Sequence, residues 1–264
     1  MLRETLKNFY AGILGGEIET LLSLFSDEPL INTPLQGEIR GKANFIRYLS
    51  DQRAFLQEHE AKAELFALTD TDQRIVVEFV LYLKHESKNI ELPVSIVADR
   101  SGNTTPEIRV YHSTWPLTGK HALRQPLMSP ARHLDEPLII EKYMTGLAKP
   151  DKAAILELFE EEGYVREPSG SNYKHSGPTG RKEFYDAALA EGGISLKHCT
   201  TTFDGTRFIV EFICDEWGKT KLPPQAGMAV YEISKTGKLF AVRIYDDLSP
   251  PGRASNTSPE ICKS

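Results

Sequence analysis

The chain has 264 residues, of which 40% are hydrophobic and 26% charged, and its formal net charge is −6. This composition is typical of globular proteins, and the length is sufficient for two modest domains with a core each. The acidic charge argues against a nucleic-acid backbone or an anionic membrane surface as the main partner.

The first residues carry acids inside their apolar run and no small-residue cleavage site, so they are predicted to form a helix of the mature protein. No apolar stretch reaches the roughly 20 residues that cross a bilayer. These features predict a cytoplasmic protein. Three cysteines without CxxC spacing and seven scattered histidines indicate neither a disulfide framework nor a metal site, and no cofactor is expected.

The elements of the first half follow one another as helices and then strands. Apolar residues at helical spacing predict two helices before Phe25, and a third is predicted to begin near Lys42 after the stretch TPLQGEIRG. Runs rich in β-branched and aromatic residues predict strands at 74–83, 91–99 and 107–115. Helices that precede strands are typical of an α+β domain.

The second half repeats this order after a segment rich in proline, residues 121–135, that we interpret as an interdomain linker. Asp151 is predicted to cap a helix, and another helix is predicted to begin near Arg181. The predicted strands are 206–214, 226–234 and 238–246. The predicted domains are therefore 1–120 and 136–250, and the polar residues 251–264 are predicted to form a mobile tail.

Self-comparison indicates that the two halves are copies of one another. Five landmarks recur in the same order: Tyr10 with Tyr143, LLSLF with ILELF, the segment Arg74–Phe79 with Arg207–Phe212, Leu92-Pro93 with Leu222-Pro223, and Arg109-Val110-Tyr111 with Arg243-Ile244-Tyr245. Because the order is preserved throughout, we infer an internal duplication.

The second copy contains KYMTGL, then ILELFEEEGYVREPSGSNYKHSGPTGRKEFY, TRFIVEF and SKTGKLFAVRIYDD. These segments resemble ketosteroid isomerase and the wider SnoaL-like polyketide cyclase and limonene epoxide hydrolase group of the nuclear transport factor 2-like superfamily. The resemblance implies two cone-shaped, cystatin-like domains, each with three helices packed on a strongly curved antiparallel sheet around an apolar pocket. It also implies a monomer that forms an internal pseudo-dimer, with a further homodimer as the alternative.

The resemblance implies a site for proton transfer in the second copy. The motif Glu167-Pro168-x-Gly170 matches the one that carries the proton-shuttling acid of the isomerase, and Tyr143 matches its oxyanion-hole tyrosine. A carboxylate above an acidic carbon and a donor aimed at the developing oxyanion are what such chemistry needs. Asp246 aligns with a cavity-lining position and is the third catalytic candidate.

Three departures from the pattern count against particular reactions: Ala229 against the isomerase reaction, Ile244 against epoxide hydrolysis and Thr33 against a general base in the first copy. Ala229 stands where the isomerase has its second oxyanion donor, and the loss of one such donor costs about 2.7–4 kcal/mol of transition-state stabilisation. Ile244 stands where an epoxide hydrolase would have an aspartate. In the first copy Thr33 replaces the acid, although Tyr10 is retained.

The resemblance also implies the residues that contact a ligand. For the second copy they are Phe184, Phe208, Val210, Phe212, Tyr173 and His175, and for the first copy Tyr10, Thr33, Tyr48, His112 and Trp115. Each has an ordinary alternative, such as core packing for the tyrosines and a surface position for Glu167 or Asp246. Arg166 is expected to point to the surface, away from Glu167, and Trp217 to lie in a hairpin turn.

We expect the protein to bind a small apolar metabolite and to catalyse isomerase-type or cyclase-type proton transfer in the second copy. The alternative from another class is a non-catalytic carrier or sensor, which the missing second donor favours. An epoxide hydrolase and a protein–protein adaptor are the less favoured alternatives.

Overall fold

The computed structural model describes residues 1–85 and 88–247. The chain divides into two compact units, of which unit 1 is Met1–Gly119 and unit 2 begins at Lys120. The predicted tail, residues 251–264, lies outside the described residues. None of the described helices is long and apolar enough to cross a bilayer.

Unit 1 contains five α-helices and six strands in its described part. In chain order they are α1 Leu2–Lys7, α2 Phe9–Gly15, α3 Ile18–Leu22, β1 Leu30–Thr33, β2 Gly37–Arg40, α4 Lys42–Glu58, β3 Lys62–Asp70, β4 Arg74–His85, β5 Lys88–Asp99, β6 Ile108–Tyr111 and α5 Trp115–Thr118. The predicted start of a helix at Lys42 is confirmed, and the first predicted helix is divided at Asn8.

Unit 2 contains three α-helices, a 3₁₀ turn and six strands in its described part. They are α6 Leu138–Ala148, α7 Lys152–Glu157, β7 Phe159–Arg166, the 3₁₀ turn Ser171–Tyr173, β8 Lys174–Ser176, α8 Gly177–Ala188, β9 Ile194–Phe203, β10 Arg207–Trp217, β11 Thr220–Ile233 and β12 Leu239–Ile244. The predicted cap is present, because Asp151 Oδ1 accepts a hydrogen bond from Ala154 N at 3.0 Å.

The two sheets have the same strand order. Unit 1 has β2-β1-β6-β5-β4-β3, and unit 2 has β8-β7-β12-β11-β10-β9. Each strand of one unit therefore has a counterpart at the same place in the other, as the predicted duplication requires. The α+β class is confirmed.

Two expectations about the sheets were wrong. Each sheet is mixed, because β1 pairs with β6 and β7 with β12 in parallel. Moreover, two strands precede the third helix in each unit. The Pro/Gly-rich stretches contain short hairpins, β1 with β2 and β7 with β8. The first strand of each hairpin also pairs with the last strand of its unit, and the long chain segment between these two strands is the connection that parallel pairing needs.

The core of each unit lies between its helices and one face of its sheet. In unit 2 the buried side chains include Ile140 of α6, Ile155 of α7, Tyr185 of α8 and Val242 of β12. Residues 121–135, predicted as a linker, belong to unit 2: Ala131 N donates to His198 O, and Ala226 N donates to Arg124 O, both at 2.9 Å.

Candidate functional site

The candidate site is a cavity of about 320 Å³ in unit 2, between the sheet and the helices α6 and α8. It is lined by Tyr143, Leu147, Glu167, Pro168, His175, Glu183, Phe184, Tyr185, Ala187, Ala188, Ile194, Leu196, Phe212, Trp217, Ala229, Tyr231, Val242, Ile244 and Asp246. This volume and a mostly apolar wall with a few polar groups are typical of a small-molecule site.

The space in the sheet arises where small residues of β11 stand opposite larger residues of β10. Phe212 on β10 pairs with Gly227 on β11, and Val210 pairs with Ala229. Two residues further along, Phe208 pairs with Tyr231, whose ring fills the gap. The cavity therefore opens beside Phe212 and Ala229 and ends at Tyr231.

Phe208 and Val210 on β10 were predicted to contact a ligand, but they do not line the cavity, because the Tyr231 ring closes it on this side. Phe208 and Val210 are fully buried and belong to the core, although they share a face of the strand with Phe212. Phe208 packs against the rings of Phe203 and Tyr231, at centroid distances of 6.1 and 6.3 Å. Alternation predicted the correct face but not how far along the strand the space extends.

Glu167 follows the end of β7 and forms a hydrogen bond with His175 at the cavity wall. His175 Nε2 donates to Glu167 Oε1 at 2.7 Å, and both side chains are about a quarter to a third exposed. Tyr173 supports this corner through its backbone, because Glu167 N donates to Tyr173 O at 3.1 Å. The Tyr173 ring, predicted as a ligand contact, is instead 40% exposed and does not line the cavity.

Three tyrosines form the buried end of the cavity. The hydroxyl groups of Tyr143 and Tyr185 lie 2.9 Å apart, and the ring of Tyr143 packs edge-on against Tyr231 at 5.2 Å. Burial raises the pKa of all three phenols, so they stay protonated at neutral pH. Since only one hydroxyl of the Tyr143–Tyr185 pair donates to the other, the second proton remains available to a ligand.

Asp246 lies two residues beyond β12 and is 7% exposed. β12 and β7 are parallel neighbours with Arg243 opposite Arg166, so Asp246 and Glu167 both follow the same end of the sheet. The structure thus brings all three catalytic candidates of the second copy to one cavity, together with Phe184, Phe212 and His175.

The candidates of the first copy lie in unit 1 and have structural contacts. Tyr10 and Tyr48 are buried in the core, and Tyr10 packs edge-on against Phe79 at 5.1 Å. Thr33 Oγ1 accepts from Gln36 N at 3.1 Å in the turn between β1 and β2. His112 Nδ1 donates to Ser113 O at 3.0 Å, and Trp115 is 38% exposed.

Several lining residues were not predicted from the sequence, most notably Tyr185, Tyr231 and Trp217. Trp217 was expected in a hairpin turn, but it is the last residue of strand β10. Its indole N–H donates to Ala188 O at 2.7 Å. Arg166 was expected at the surface, but it is buried, with its guanidinium 4.7 Å from the ring centre of Tyr245. Alternation on β11 beyond Ala229 was the signal that could have identified Tyr231.

Within the described residues, no group of three or more histidine, cysteine, aspartate or glutamate side chains converges in a way that could hold a metal ion. The buried thiol of Cys214 lies next to the site, and burial, followed by the charge of Asp246, raises its pKa to about 12. It is therefore protonated at neutral pH and is a poor nucleophile.

No model of a known protein family matches the chain, and no curated protein matches it. Solved structures that do match include a protein from Sinorhizobium meliloti named as a polyketide cyclase, with 20% identity over 42% of this chain and 95% of its own, at a TM-score of 0.36. An NTF2-like protein of unknown function from Cytophaga hutchinsonii has 17% identity over 42% of this chain and 98% of its own, at a TM-score of 0.35. A cystatin-like protein from Silicibacter pomeroyi has 17% identity over 41% of this chain and 72% of its own, at a TM-score of 0.34.

Proposed function

We propose that unit 2 binds a small, mostly apolar molecule in its cavity and moves a proton on it, with Glu167 as the general base. The observation that carries the proposal is that Glu167 and Tyr143 line the same cavity. A base and a hydrogen-bond donor that face one space can act on neighbouring atoms of one ligand, namely a carbon that loses its proton and the carbonyl oxygen that gains charge.

The two ends of the cavity have different roles in this proposal. Tyr143, supported by its hydroxyl contact with Tyr185, donates to the carbonyl oxygen at the buried end. His175 holds the Glu167 carboxylate in place through its 2.7 Å hydrogen bond, which makes it a positioning residue. Isomerisation and cyclisation both begin with such a proton abstraction, so both reactions are compatible with these groups.

The test of this proposal is Glu167→Gln, which keeps the size of the side chain and removes the base. In D₂O, the wild-type protein should exchange the hydrogens next to the carbonyl of a bound enone, measured by NMR over a panel of steroid, terpenoid and polyketide-like enones. The variant should lose this exchange by about 10²–10⁴-fold, the usual contribution of a general base.

Glu161→Gln is the matched control, because Glu161 is an exposed acid on the same strand, β7, and does not line the cavity. It should exchange hydrogens within twofold of the wild-type rate. Unchanged exchange in Glu167→Gln would remove Glu167 from the role of base.

A non-catalytic carrier is the second candidate function, and the observation that favours it is Ala229. This residue lines the cavity at the position where the isomerase that the sequence resembles has its second oxyanion donor, and its methyl group cannot donate a hydrogen bond. Members of the enone panel that bind without any hydrogen exchange in the wild-type protein would favour the carrier over the enzyme.

A further inference from the structure

The buried end of the cavity has a hydroxyl group that the fold does not use. Tyr231 lines the cavity and is 2% exposed, and its ring packs edge-on against Tyr143 with a centroid distance of 5.2 Å. Within residues 1–85 and 88–247, no hydrogen bond engages the Tyr231 hydroxyl group. Since buried polar groups are hydrogen-bonded as a rule, a free hydroxyl group in a cavity wall is available to a ligand.

Tyr143 and Tyr185 differ from Tyr231 in this respect. Their hydroxyl oxygens lie 2.9 Å apart, so one of the two protons is used within the pair and one remains for a ligand. Burial raises the pKa of the Tyr231 phenol, which therefore keeps its proton at neutral pH. The buried end thus has two hydrogen-bond donors to offer, one from the pair and one from Tyr231.

Tyr231 also stands next to the position that lacks a donor. Ala229 and Tyr231 are two residues apart on β11, so their side chains lie on the same face of the strand, and both line the cavity. Neighbours on one face of a strand are about 7 Å apart, a distance that a tyrosine side chain spans. Tyr231 can therefore supply the donor that the methyl group of Ala229 cannot.

We propose that the Tyr231 hydroxyl group donates a second hydrogen bond to the carbonyl oxygen of the ligand, beside that of Tyr143. The inference rests on the proposed function in one respect, that the cavity holds a carbonyl compound with its oxygen at the buried end. A carbonyl oxygen has two lone pairs and accepts from both groups at once. Tyr231 is then a catalytic residue, because it touches the oxygen that gains charge.

The two donors act in the same step. When Glu167 takes the proton from the carbon next to the carbonyl group, the electrons of the broken C–H bond form a carbon–carbon double bond, and those of the carbonyl π bond move to the oxygen. Tyr143 and Tyr231 keep their own protons and stabilise this oxygen through hydrogen bonds that strengthen as its negative charge grows. Loss of one such donor slows a reaction by about 10²–10³-fold.

The experiment uses two bicyclic probes. One is 1-tetralone, which has a carbonyl oxygen and exchangeable hydrogens beside it, and the other is tetralin, which has the same skeleton without the oxygen. Calorimetry measures their affinities for the full chain at neutral pH. Infrared spectroscopy measures the carbonyl stretch of bound 1-tetralone, and NMR measures the exchange of its hydrogens in D₂O.

Tyr231→Phe keeps the ring and removes the hydroxyl group. It should weaken binding of 1-tetralone about fivefold, the usual effect of one hydrogen bond, without weakening that of tetralin. The carbonyl stretch should move to higher wavenumber, because the C=O bond loses a polarising hydrogen bond, and the exchange should slow by about 10²-fold. Tyr164→Phe is the matched control, because Tyr164 is a buried tyrosine of unit 2 outside the cavity wall, and it should change none of these quantities.

Tyr143→Phe separates this inference from the proposed function. A carbonyl stretch and an exchange rate that respond to Tyr143→Phe but not to Tyr231→Phe would overturn the second donor and leave the proposed function in place. Tetralin binding that weakens as much as 1-tetralone binding in Tyr231→Phe would assign the hydroxyl group to the fold and would likewise overturn it. A wild-type protein that binds 1-tetralone without exchange would favour the carrier, and the carbonyl stretch alone would then decide whether Tyr231 is a donor.

Two further outcomes would count against both proposals. If 1-tetralone binds but neither tyrosine variant changes its carbonyl stretch, the oxygen of the ligand does not lie at the tyrosine end. If neither 1-tetralone nor tetralin binds to the wild-type protein, the cavity is not a site for such molecules.

Discussion

Gly227 is the residue that makes room for a ligand beside Phe212. It stands opposite Phe212 in the β10–β11 ladder, and a methyl group there would overlap the phenyl ring and approach the Asp246 carboxylate. A single hydrogen in place of a side chain therefore creates part of the cavity. No local backbone requirement explains this glycine, since its φ is outside the left-handed region.

Gly227→Ala should both destabilise unit 2 and reduce ligand binding. Overpacking of a buried site costs about 1–3 kcal/mol, because the Phe212 ring has to move into the space that a ligand would use. Urea unfolding measures the stability, and calorimetry with 1-naphthalenemethanol measures the binding. Gly15→Ala is the control, since its methyl group would meet only ordinary contacts, so it should not lower stability and should leave binding unchanged.

Stability that is unchanged in Gly227→Ala, with full binding of the alcohol, would mean that the ring and the carboxylate do not enclose this position.

At the residue scale the sequence predicted Glu167, Tyr143 and Asp246 as candidates through the resemblance. It could not separate Phe212 from Phe208, because the difference lies in their partners on β11, Gly227 and Tyr231.

At the scale of elements, an ion-pair network joins α7 to α8. Asp186 on α8 accepts hydrogen bonds from Lys152 Nζ on α7 at 2.7 Å and from Lys182 Nζ on α8 at 2.6 Å. These bonds hold the pKa of the Asp186 carboxyl down at about 2, below the ordinary value of an aspartate. α8 carries Phe184 and Tyr185, so the network supports a wall of the cavity.

Because the folded-state pKa is lowered, Asp186 stabilises the fold at pH values above the ordinary pKa of aspartate. This contribution is lost as the pH falls toward about 2. We expect an NMR titration of the side-chain carboxyl to show a midpoint near this value, and Lys152→Met to raise the midpoint by removing one donor. An ordinary midpoint in the wild-type protein would contradict the network.

Lys149→Met provides the control for this titration, since Lys149 is an exposed lysine at the end of α6, whereas the bonds to Asp186 come from Lys152 and Lys182. It should leave the midpoint in place.

Elements with strong local signals, such as the helix at Lys42 and the cap at Asp151, were predictable. Short strands such as β8 were not, because three residues carry too little periodicity to be distinguished from a turn.

At the scale of the whole molecule, the two units share one topology but have different residues at matched positions. Thr33 caps a turn in unit 1, at the place where the sequence comparison puts Glu167 of unit 2. The duplication therefore preserves the scaffold without preserving the chemistry. The proposals above accordingly concern unit 2.

The internal pseudo-dimer and its monomeric state remain a prediction from the sequence. A chain that carries both copies supplies both halves of a dimer at a high effective concentration. We therefore expect light scattering to give the mass of one chain, 29.6 kDa, at both low and high protein concentration. Twice that mass would support the alternative of a further homodimer.

The sequence by itself determined the duplication, the α+β class and the residues worth testing as acid and donor. The duplication and the class depend on composition, periodicity and repeated landmarks, which are properties of the chain read in order, and the acid and donor candidates depend on the resemblance of short segments to a known family. Only the tertiary structure decided which side chains share the cavity. Its width depends on neighbours across strands, such as Phe212 with Gly227. Its acidic side chains meet because Glu167 and Asp246 follow parallel neighbouring strands at the same end of the sheet.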